Sequence, residues 1–226
     1  MERSGVINIY KEAGYTSHDV VAKLRGILKQ KKIGHTGTLD PQAQGVLPVC
    51  LGKGTKLCDL LADHDKEYEA VLRLGITTDT QDMEGTILKE SSVQVSEEEV
   101  RTCILSFQGE QQQVPPMYSA LKVNGKKLYE LAREGKVVER KARPVTFHNI
   151  EVLWMELPKV KIRVQCSKGT YIRTLCNDIG EKLGCGGCMG ELLRTRGEGV
   201  GLKEAGKMDE GQKIMEEGNI ERLILP

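Results

Sequence analysis

The spacing of apolar residues along the chain predicts strands mixed with helices. Residues 159–166 alternate apolar and polar side chains, as a strand with one buried face does. In residues 16–32 the apolar side chains recur every three or four positions, which predicts an amphipathic helix with Ser17 as its N-cap. The other predicted elements are strands at 6–10, 66–75 and 144–157 and helices at 55–64, 96–109, 126–135 and 170–184. Because strands and helices do not alternate regularly, we expect an α+β fold.

Two local signals mark element ends. Ser96 and Glu99 form the pattern of a capping box, which predicts a helix that starts there and ends at Gly109. Asn124-Gly125 is typical of a tight hairpin turn. This turn lies in a basic stretch with prolines near both ends. We interpret the stretch, about residues 116–144, as an arm inserted between sheet strands.

Composition restricts the class of protein. The chain has 226 residues, which is enough to bury a substantial core, and a net charge of +1. It has no run of 18 apolar residues and no secretory signal at its start, so we expect no membrane association and a cytoplasmic location. Its seven cysteines are expected to be reduced thiols.

Basic residues are concentrated in two places despite the nearly neutral sum. Residues 23–32 carry five basic residues and no acid, and residues 122–143 carry eight basic residues against three acids. The tail from residue 198 has seven acids and four bases. This distribution is compatible with a nucleic-acid-binding face, although charge runs are more often ordinary solvated surfaces.

The glycine-rich stretch at 33–57, IGHTGTLDPQAQGVLPVCLGKGTKL, contains a single carboxylate, Asp40. It does not match a phosphate-binding P-loop, because Gly52-Lys53 is followed by glycine and Leu47 stands where the loop's first glycine is needed. The pair at Cys185 and Cys188 lacks the second pair that a zinc site needs, so we expect structural cysteines and no metal. What remains is a carboxylate in a shaped loop, with Arg173 later in the chain as a natural carboxylate partner.

A series of motifs resembles the TruB-type tRNA pseudouridine synthases. They are GHTGTLDPQAQGVLPVCLGKGTK, DKEYEAVLRLG, TTDTQDMEG, PPMYSALKVNGKKLYELAREG, RPV and CSKGTYIRTLCNDIGEKLG. The resemblance covers about residues 5–196 and implies a pseudouridine synthase fold, with a mixed, mostly antiparallel sheet flanked by helices and loops. It implies a catalytic domain at 1–196 that includes the arm. Residues 197–226 are then a C-terminal extension in which the full PUA-type RNA-binding domain of bacterial members is absent.

The resemblance also implies a reaction. Family members isomerise uridine 55 in the T-loop of tRNA to pseudouridine by base flipping and an essential aspartate, without cofactor, metal or guide RNA. We therefore expect a tRNA-binding enzyme, acting as a monomer. The catalytic residues that it implies are Asp40, Tyr68 and Arg173. The residues that it implies for substrate binding are His35, Tyr171, Leu192 and Asp82, and the arm adds Lys126, Lys127, Arg140 and Lys141. Whether Asp40 acts as nucleophile or base stays open.

Three alternatives are weighed against this reading. A non-catalytic RNA-binding module would be favoured by the loss of Asp40, Tyr68 or Arg173, and all three are present. An RNP-type pseudouridylase subunit shares the catalytic motif, but the bacterial-style arm favours the stand-alone enzyme. A nucleotide-dependent enzyme would need the P-loop pattern that the glycine-rich stretch lacks.

Overall fold

The structure is a computed structural model, and it describes residues 3–197, 200–201, 206–207 and 224–225. The strands are β1 Gly5–Lys11, β2 Ile33–His35, β3 Gln44–Leu51, β4 Lys66–Leu74, β5 Ile76–Thr78, β6 Ile87–Glu90, β7 Gly109–Gln113, β8 Lys122–Val123, β9 Lys126–Lys127, β10 Arg143–Glu156, β11 Lys159–Cys166, β12 Gly187–Gly197, β13 Val200–Gly201, β14 Gly206–Lys207 and β15 Ile224–Leu225. The helices are α1 Ser17–Leu28, α2 Cys58–Ala62, α3 Glu97–Leu105, α4 Leu128–Arg133 and α5 Ile172–Lys182, with a 3₁₀ helix at Gly52–Leu57. The chain forms two compact units, which are described separately. The first contains Met1–Glu69 and Leu192–Pro226, and the second contains Ala70–Glu191.

The first unit is built on strand β3. This strand pairs antiparallel with β1, from Gly5 opposite Leu51 to Lys11 opposite Gly45, and parallel with β12 on its other side. Seven of the eight β3 residues are buried, because the strand lies inside the sheet and its run of apolar residues leaves no polar face. The apolar side of α1 contributes to the same core. That core contains Ile7, Ile9, Val20, Val21, Leu24, Leu28, Ile33, Leu47, Val49 and Leu51.

The second unit contains the long strand β10, which pairs antiparallel with both β11 and β7. The predicted strand with one buried face is present as β11, in which Val160, Ile162 and Val164 are fully buried. The arm has a small core of its own, in which Met117, Leu128 and Leu131 are buried. The strands β8 and β9 of the arm form the predicted hairpin, and the predicted arm helix is present as α4.

The predicted α+β architecture with a mixed, mostly antiparallel sheet is confirmed. In the described part of the chain β1 pairs parallel with β14 and β3 with β12. The pairs β1–β3, β1–β15, β2–β3, β7–β10, β10–β11 and β12–β13 run antiparallel. No helix among the described residues is long and apolar enough to cross a membrane. The predicted extension at 197–226 lies largely outside the described residues, and the predicted domain boundaries stay predictions.

Two predicted helix ends are wrong. The N-cap of α1 is Thr16, whose hydroxyl accepts a hydrogen bond from the backbone N–H of Asp19, while Ser17 points into the protein. The capping box at Ser96 is confirmed, but α3 ends at Leu105. Gly109 has a φ of +100° and begins β7, so this glycine serves a strand start that helix periodicity does not reveal.

Candidate active site

Asp40 lies in the turn that connects β2 to β3, and its side chain is half-buried. The residues around it are held more tightly, because Leu39 and Ala43 are only 3% and 2% exposed. The backbone N–H of Ala43 donates to the carbonyl oxygen of Asp40 at 3.0 Å and closes the turn. The Ser17 hydroxyl both accepts from the N–H of Leu39 at 3.0 Å and donates to its carbonyl at 3.3 Å. The carboxylate is therefore carried on a packed turn rather than on a free loop.

Lys11 is wholly buried and supports one side of this turn. Its ammonium group donates to three carbonyl oxygens, those of Glu12 at 3.0 Å, Tyr15 at 2.6 Å and Pro41 at 3.0 Å. Burial lowers the pKa of Lys11 to about 8, although the nearby Asp40 carboxylate acts in the opposite direction. Each of the three N–H donors of Lys11 thus has an accepting carbonyl oxygen. One of these oxygens belongs to Pro41, the residue directly after Asp40.

Arg194 of β12 supports the turn from the other side. It is 1% exposed, and its guanidinium donates to the carbonyl oxygens of Val46 at 2.7 Å and Gly37 at 3.1 Å. Gly45 allows this approach: its φ is +110°, and a Cβ there would collide with the backbone of Arg194. Arg194 therefore fixes the backbone on both flanks of Asp40.

His35 lies at the end of β2, opposite Val49 of β3. Its ring meets the ring of His18 edge-on, with 5.6 Å between the centroids. Burial lowers the pKa of His35, and the neighbouring His18 and Arg194 lower it further, so the imidazole is neutral at pH 7. Its buried Nδ1 has no hydrogen-bond partner among the described residues, which leaves this ring with unused hydrogen-bonding capacity.

Tyr68 and Leu192 belong to the same unit as Asp40. Tyr68 is on β4 and only 8% exposed, so the residue is largely buried. Leu192 is half-buried on β12, directly before Leu193, which is in register with Gln44 at the start of β3. Both side chains accordingly combine a core position with limited access from outside.

Arg173 is placed in the second unit by the first turn of α5, and it is 6% exposed. Its guanidinium donates to the carbonyl oxygens of Thr80 at 3.0 Å and Tyr118 at 2.9 Å. Its Nη1 also lies 3.8 Å from a carboxylate oxygen of Asp82. The Asp82 carboxylate itself accepts from the Thr80 hydroxyl at 2.6 Å and from the N–H of Glu84 at 3.1 Å. The structure therefore joins Arg173 to the Asp82 segment and to the base of the arm.

Tyr171 is the N-cap residue of α5. The side chain of Gln113 holds its backbone by two hydrogen bonds, accepting from the N–H of Tyr171 at 2.8 Å and donating to its carbonyl at 3.0 Å. Gln113 is 4% exposed, so this pair of bonds is well protected from water. The start of α5, and with it Arg173, is consequently fixed against β7.

The four predicted arm cations differ in their surroundings. Lys126 and Lys141 are exposed, and Lys126 lies 4.0 Å from the carboxylate of Glu134. Lys127 is half-buried over the ring of Tyr129, with 5.4 Å from its Nζ to the ring centroid. Arg140 donates to the carbonyl oxygen of Pro115 at 3.1 Å and braces the base of the arm. Three lysines thus face outward or lie along the surface, while Arg140 also has a structural contact.

Comparison with known proteins gives the family. The sequence profile described as "TruB family pseudouridylate synthase (N terminal domain)" matches residues 25–172, and that described as "tRNA pseudouridylate synthase B C-terminal domain" matches residues 173–226. The chain belongs to the TruB family. It is 52% identical over 223 residues to tRNA pseudouridine synthase B of Alkaliphilus oremlandii (strain OhILAs), covering 99% of this chain and 74% of that protein. It is 56% identical over 231 residues to the protein of the same name from Lachnoclostridium phytofermentans, covering 99% and 75%.

A solved structure shows the same fold. The chain is similar to one in the crystal structure of a Cbf5-Nop10-Gar1 complex, with a TM-score of 0.78, 34% identity, and coverage of 98% of this chain and 60% of that chain. The predicted TruB resemblance and the predicted fold are thereby confirmed. The individual roles of the predicted site residues, including the pairing of Arg173 with Asp40, stay predictions.

Two residues that sequence reasoning missed contribute most to the Asp40 turn of this TruB-family chain. Lys11 and Arg194 are ordinary basic residues in the sequence, each within a strand. A lysine or arginine on the buried face of a strand must find partners inside, but the predicted strand at 6–10 ends before Lys11 and no strand was predicted around Arg194. Neither residue type identifies its partner, because the acceptors are backbone carbonyls that any residue supplies.

Replacing Lys11 by methionine should lower the single-turnover rate of this TruB-family chain at least about tenfold, because the carbonyl of Pro41 and the Asp40 carboxylate lose their cation. RNA affinity should stay within about twofold. In the unsubstituted protein the rate should fall as the pH rises through about 8, where Lys11 loses its charge and one donor. A single-turnover assay between pH 6.5 and 9.5 checks both expectations.

Protein stability provides the control for the Lys11 experiment. The pKa of Lys11 is about 8 in the folded chain and 10.5 as the ordinary value, so the unfolded chain binds more protons between these values. The contribution of Lys11 to the free energy of unfolding should therefore rise with pH in this window, opposite to the rate. A methionine variant with an unchanged rate and an unchanged pH profile would contradict a positioning role for Lys11.

Proposed function

We propose that this chain isomerises uridine to pseudouridine in tRNA, at uridine 55 of the T-loop, with Asp40 as the essential catalytic residue. The placement of Asp40 supports the proposal most directly, because a half-exposed carboxylate stands on a turn whose flanking backbone is held by two buried cations. A carboxylate held in one position can act repeatedly on a substrate atom without first being ordered. Family membership supplies the substrate class, since the relatives named above are tRNA pseudouridine synthases.

The reaction breaks the N1–C1′ bond of uridine and forms a bond from C5 to C1′, without a net change in oxidation state. Asp40 acts either as a nucleophile toward a carbon atom or as a base that removes a sugar proton. Both roles need the target base outside its stack, and flipping costs a few kcal/mol. Contact of the flipped base with Tyr68, and of the RNA with neutral His35, offsets part of this cost.

The arm is proposed to hold the folded RNA loop through phosphates. Its outward lysines carry no sequence information by themselves, so they orient the RNA while the turn of Asp40 selects the reacting nucleotide. An RNP-type subunit is the second candidate, because the chain is also similar to one in the structure of an H/ACA RNP bound to a substrate RNA containing 2'-deoxyuridine, with a TM-score of 0.75 and 31% identity. Identity favours the stand-alone enzyme, at 52% and 56% to the tRNA enzymes against 31% to that chain.

Asp40→Asn should abolish turnover and leave the fold and RNA binding nearly intact. The amide keeps the size and turn hydrogen bonding of Asp40 but is neither a nucleophile nor a base. The measurement is incubation with an unmodified T-arm stem-loop, followed by chemical mapping of pseudouridine. Pseudouridine formation by the variant near the unsubstituted rate would falsify the catalytic assignment, and its absence with the unsubstituted protein would overturn the proposed reaction.

Changing Lys126, Lys127 and Lys141 to glutamine should weaken binding of the stem-loop and flatten its salt dependence. Each lost phosphate contact lowers the slope of log affinity against log salt by roughly 0.7–0.9, so three contacts lower it by roughly 2 to 3. Arg140 is left in place because it braces Pro115. The matched control changes Lys89, Lys159 and Arg101, all exposed and outside the arm. Equal slopes for both triple variants would show that the arm is only a solvated surface.

Arg173→Lys should lower the single-turnover rate on the order of ten- to a hundredfold if Arg173 pairs with Asp40. Lysine keeps the charge but lacks the planar fork that holds two oxygens in one geometry. One lost charge-assisted hydrogen bond costs roughly 1.5–3 kcal/mol, and about 1.4 kcal/mol corresponds to a factor of ten. Arg101→Lys, on the exposed side of α3, is the control and should behave as the unsubstituted protein.

The melting temperature is the second measurement for the Arg173→Lys variant, because Arg173 also contacts Thr80 and Tyr118. Loss of these contacts lowers the melting temperature, so rates are compared well below the unfolding transition of each protein. A normal single-turnover rate combined with weak RNA binding would move Arg173 from the catalytic residues to those that contact phosphates.

A further inference from the structure

A second cationic surface lies in the first unit, at the opposite end of β3 from Asp40. Between Val20 and Cys58 the sequence carries seven basic residues, and Asp40 is the one acid. Four of these basic residues, with Arg3, form what we name the β3-end patch. Its members are Arg3, Lys29, Lys31, Lys32 and Lys53.

Backbone contacts bring the three segments of this patch together. The N–H of Gly52 donates to the carbonyl of Lys32 at 2.9 Å, and the N–H of Lys53 donates to the Ser4 hydroxyl at 3.0 Å. The 3₁₀ helix lies close against the start of β1, since a Cβ at Gly52 would collide with the carbonyl oxygen of Arg3. The patch is therefore a fixed surface and not a set of independent loops.

Gln30 is the buried amide that connects two of the segments. It is 8% exposed, accepts from the N–H of Arg3 at 2.8 Å and donates to the carbonyl of Arg3 at 2.8 Å. Its amide also reaches the carbonyl of Lys32 at 3.4 Å. Because the amide fixes both backbones, the cations of these segments are presented at a constant spacing, which reduces the entropy lost on binding.

The cations of the patch face solvent and have no acidic partner in the described part of the chain. Lys29, Lys31, Lys32 and Lys53 are exposed. No carboxylate among the described residues lies within ion-pair distance of them or of Arg3. Like charges held close together repel one another, so this concentration of charge in the described residues favours a polyanionic partner.

The backbone at Lys29 provides a separate observation. Lys29 ends α1 in the left-handed region, with a φ of +48°, where glycine is usual because a Cβ is strained there. The attraction between its charge and the helix C-terminus offsets part of that strain. A lysine at this position adds a cation to the patch that glycine would not supply.

The distance from Asp40 determines which part of the RNA reaches this surface. Asp40 precedes Gln44 at one end of β3, whereas Lys32 and Lys53 flank its other end at Leu51. Seven steps of about 3.3 Å separate the two ends, or about 23 Å. Phosphates beside the reacting nucleotide do not span this distance, so the contacts fall on nucleotides remote from the target.

We propose that the β3-end patch binds the phosphate backbone of the substrate tRNA outside the T-arm stem-loop. This inference rests on the proposed function. Lysine ammonium groups on flexible stems bind phosphates as point charges and read no sequence. The patch therefore adds affinity for the whole folded tRNA without selecting the uridine, and it acts independently of the arm.

The test compares two RNAs and two triple variants. Lys31, Lys32 and Lys53 are changed to glutamine, and the control again changes Lys89, Lys159 and Arg101 to glutamine. Dissociation constants are measured at several salt concentrations for a full-length unmodified tRNA transcript and for the T-arm stem-loop. Melting temperatures show that both variants are folded.

For the patch variant we expect the affinity for full-length tRNA to fall at least about tenfold near 0.1 M salt, with a slope lower by roughly 2 to 3. Its affinity for the stem-loop and its single-turnover rate at saturating RNA should match those of the control. Unchanged affinity for full-length tRNA would overturn the proposal. The patch would then bind a partner of another class. An equal loss for the stem-loop would also overturn it, because the contact would then lie within the T-arm.

These outcomes are distinguishable from failure of the proposed function. Pseudouridine formation in the stem-loop by the unsubstituted protein tests the reaction without the patch. If no pseudouridine forms, the proposed function fails, while the difference in salt slope between the two RNAs still decides whether the patch binds tRNA.

Discussion

Two buried cations hold the turn that carries Asp40, and the rest of the first unit accommodates them. Lys11 and Arg194 bind the carbonyl oxygens of Pro41, Gly37 and Val46, which lie on both flanks of the carboxylate. A buried charge is costly unless its donors are satisfied, and the three donors of Lys11 have three acceptors. The sheet brings these cations to the turn, because Lys11 of β1 and Arg194 of β12 are both in register with Gly45 near the start of β3.

The second unit uses the same interaction at another place. Arg173 donates to the carbonyls of Thr80 and Tyr118, so the start of α5 is tied to the segment of Asp82 and to the base of the arm. In both units an arginine or lysine side chain binds backbone oxygens and thereby fixes a loop. A loop fixed in this way loses little entropy when a ligand binds, which suits segments that must meet a large folded RNA.

Much of the fold is predictable from local pattern. The alternation at 159–166, the capping box at Ser96 and the turn at Asn124-Gly125 each specify an element through residues close in sequence, and each element is present. The TruB motifs added the family and the position of Asp40. Errors occurred where two local signals competed: Thr16 and Ser17 are both good caps, and the structure uses Ser17 to hold Leu39 instead.

The sequence by itself thus determined part of the elements, the family and the residue types available for chemistry. It did not reveal β3, which forms inside the glycine-rich stretch interpreted as a loop, or β12. Only the tertiary structure decided that Lys11 and Arg194 support the Asp40 turn and that Lys32 and Lys53 lie at one end of β3. The physical reason is that these contacts are made to backbone carbonyls and amides up to 157 residues away. Every residue carries such groups, so no side-chain pattern marks the ones that are used, and the pairing of strands selects them.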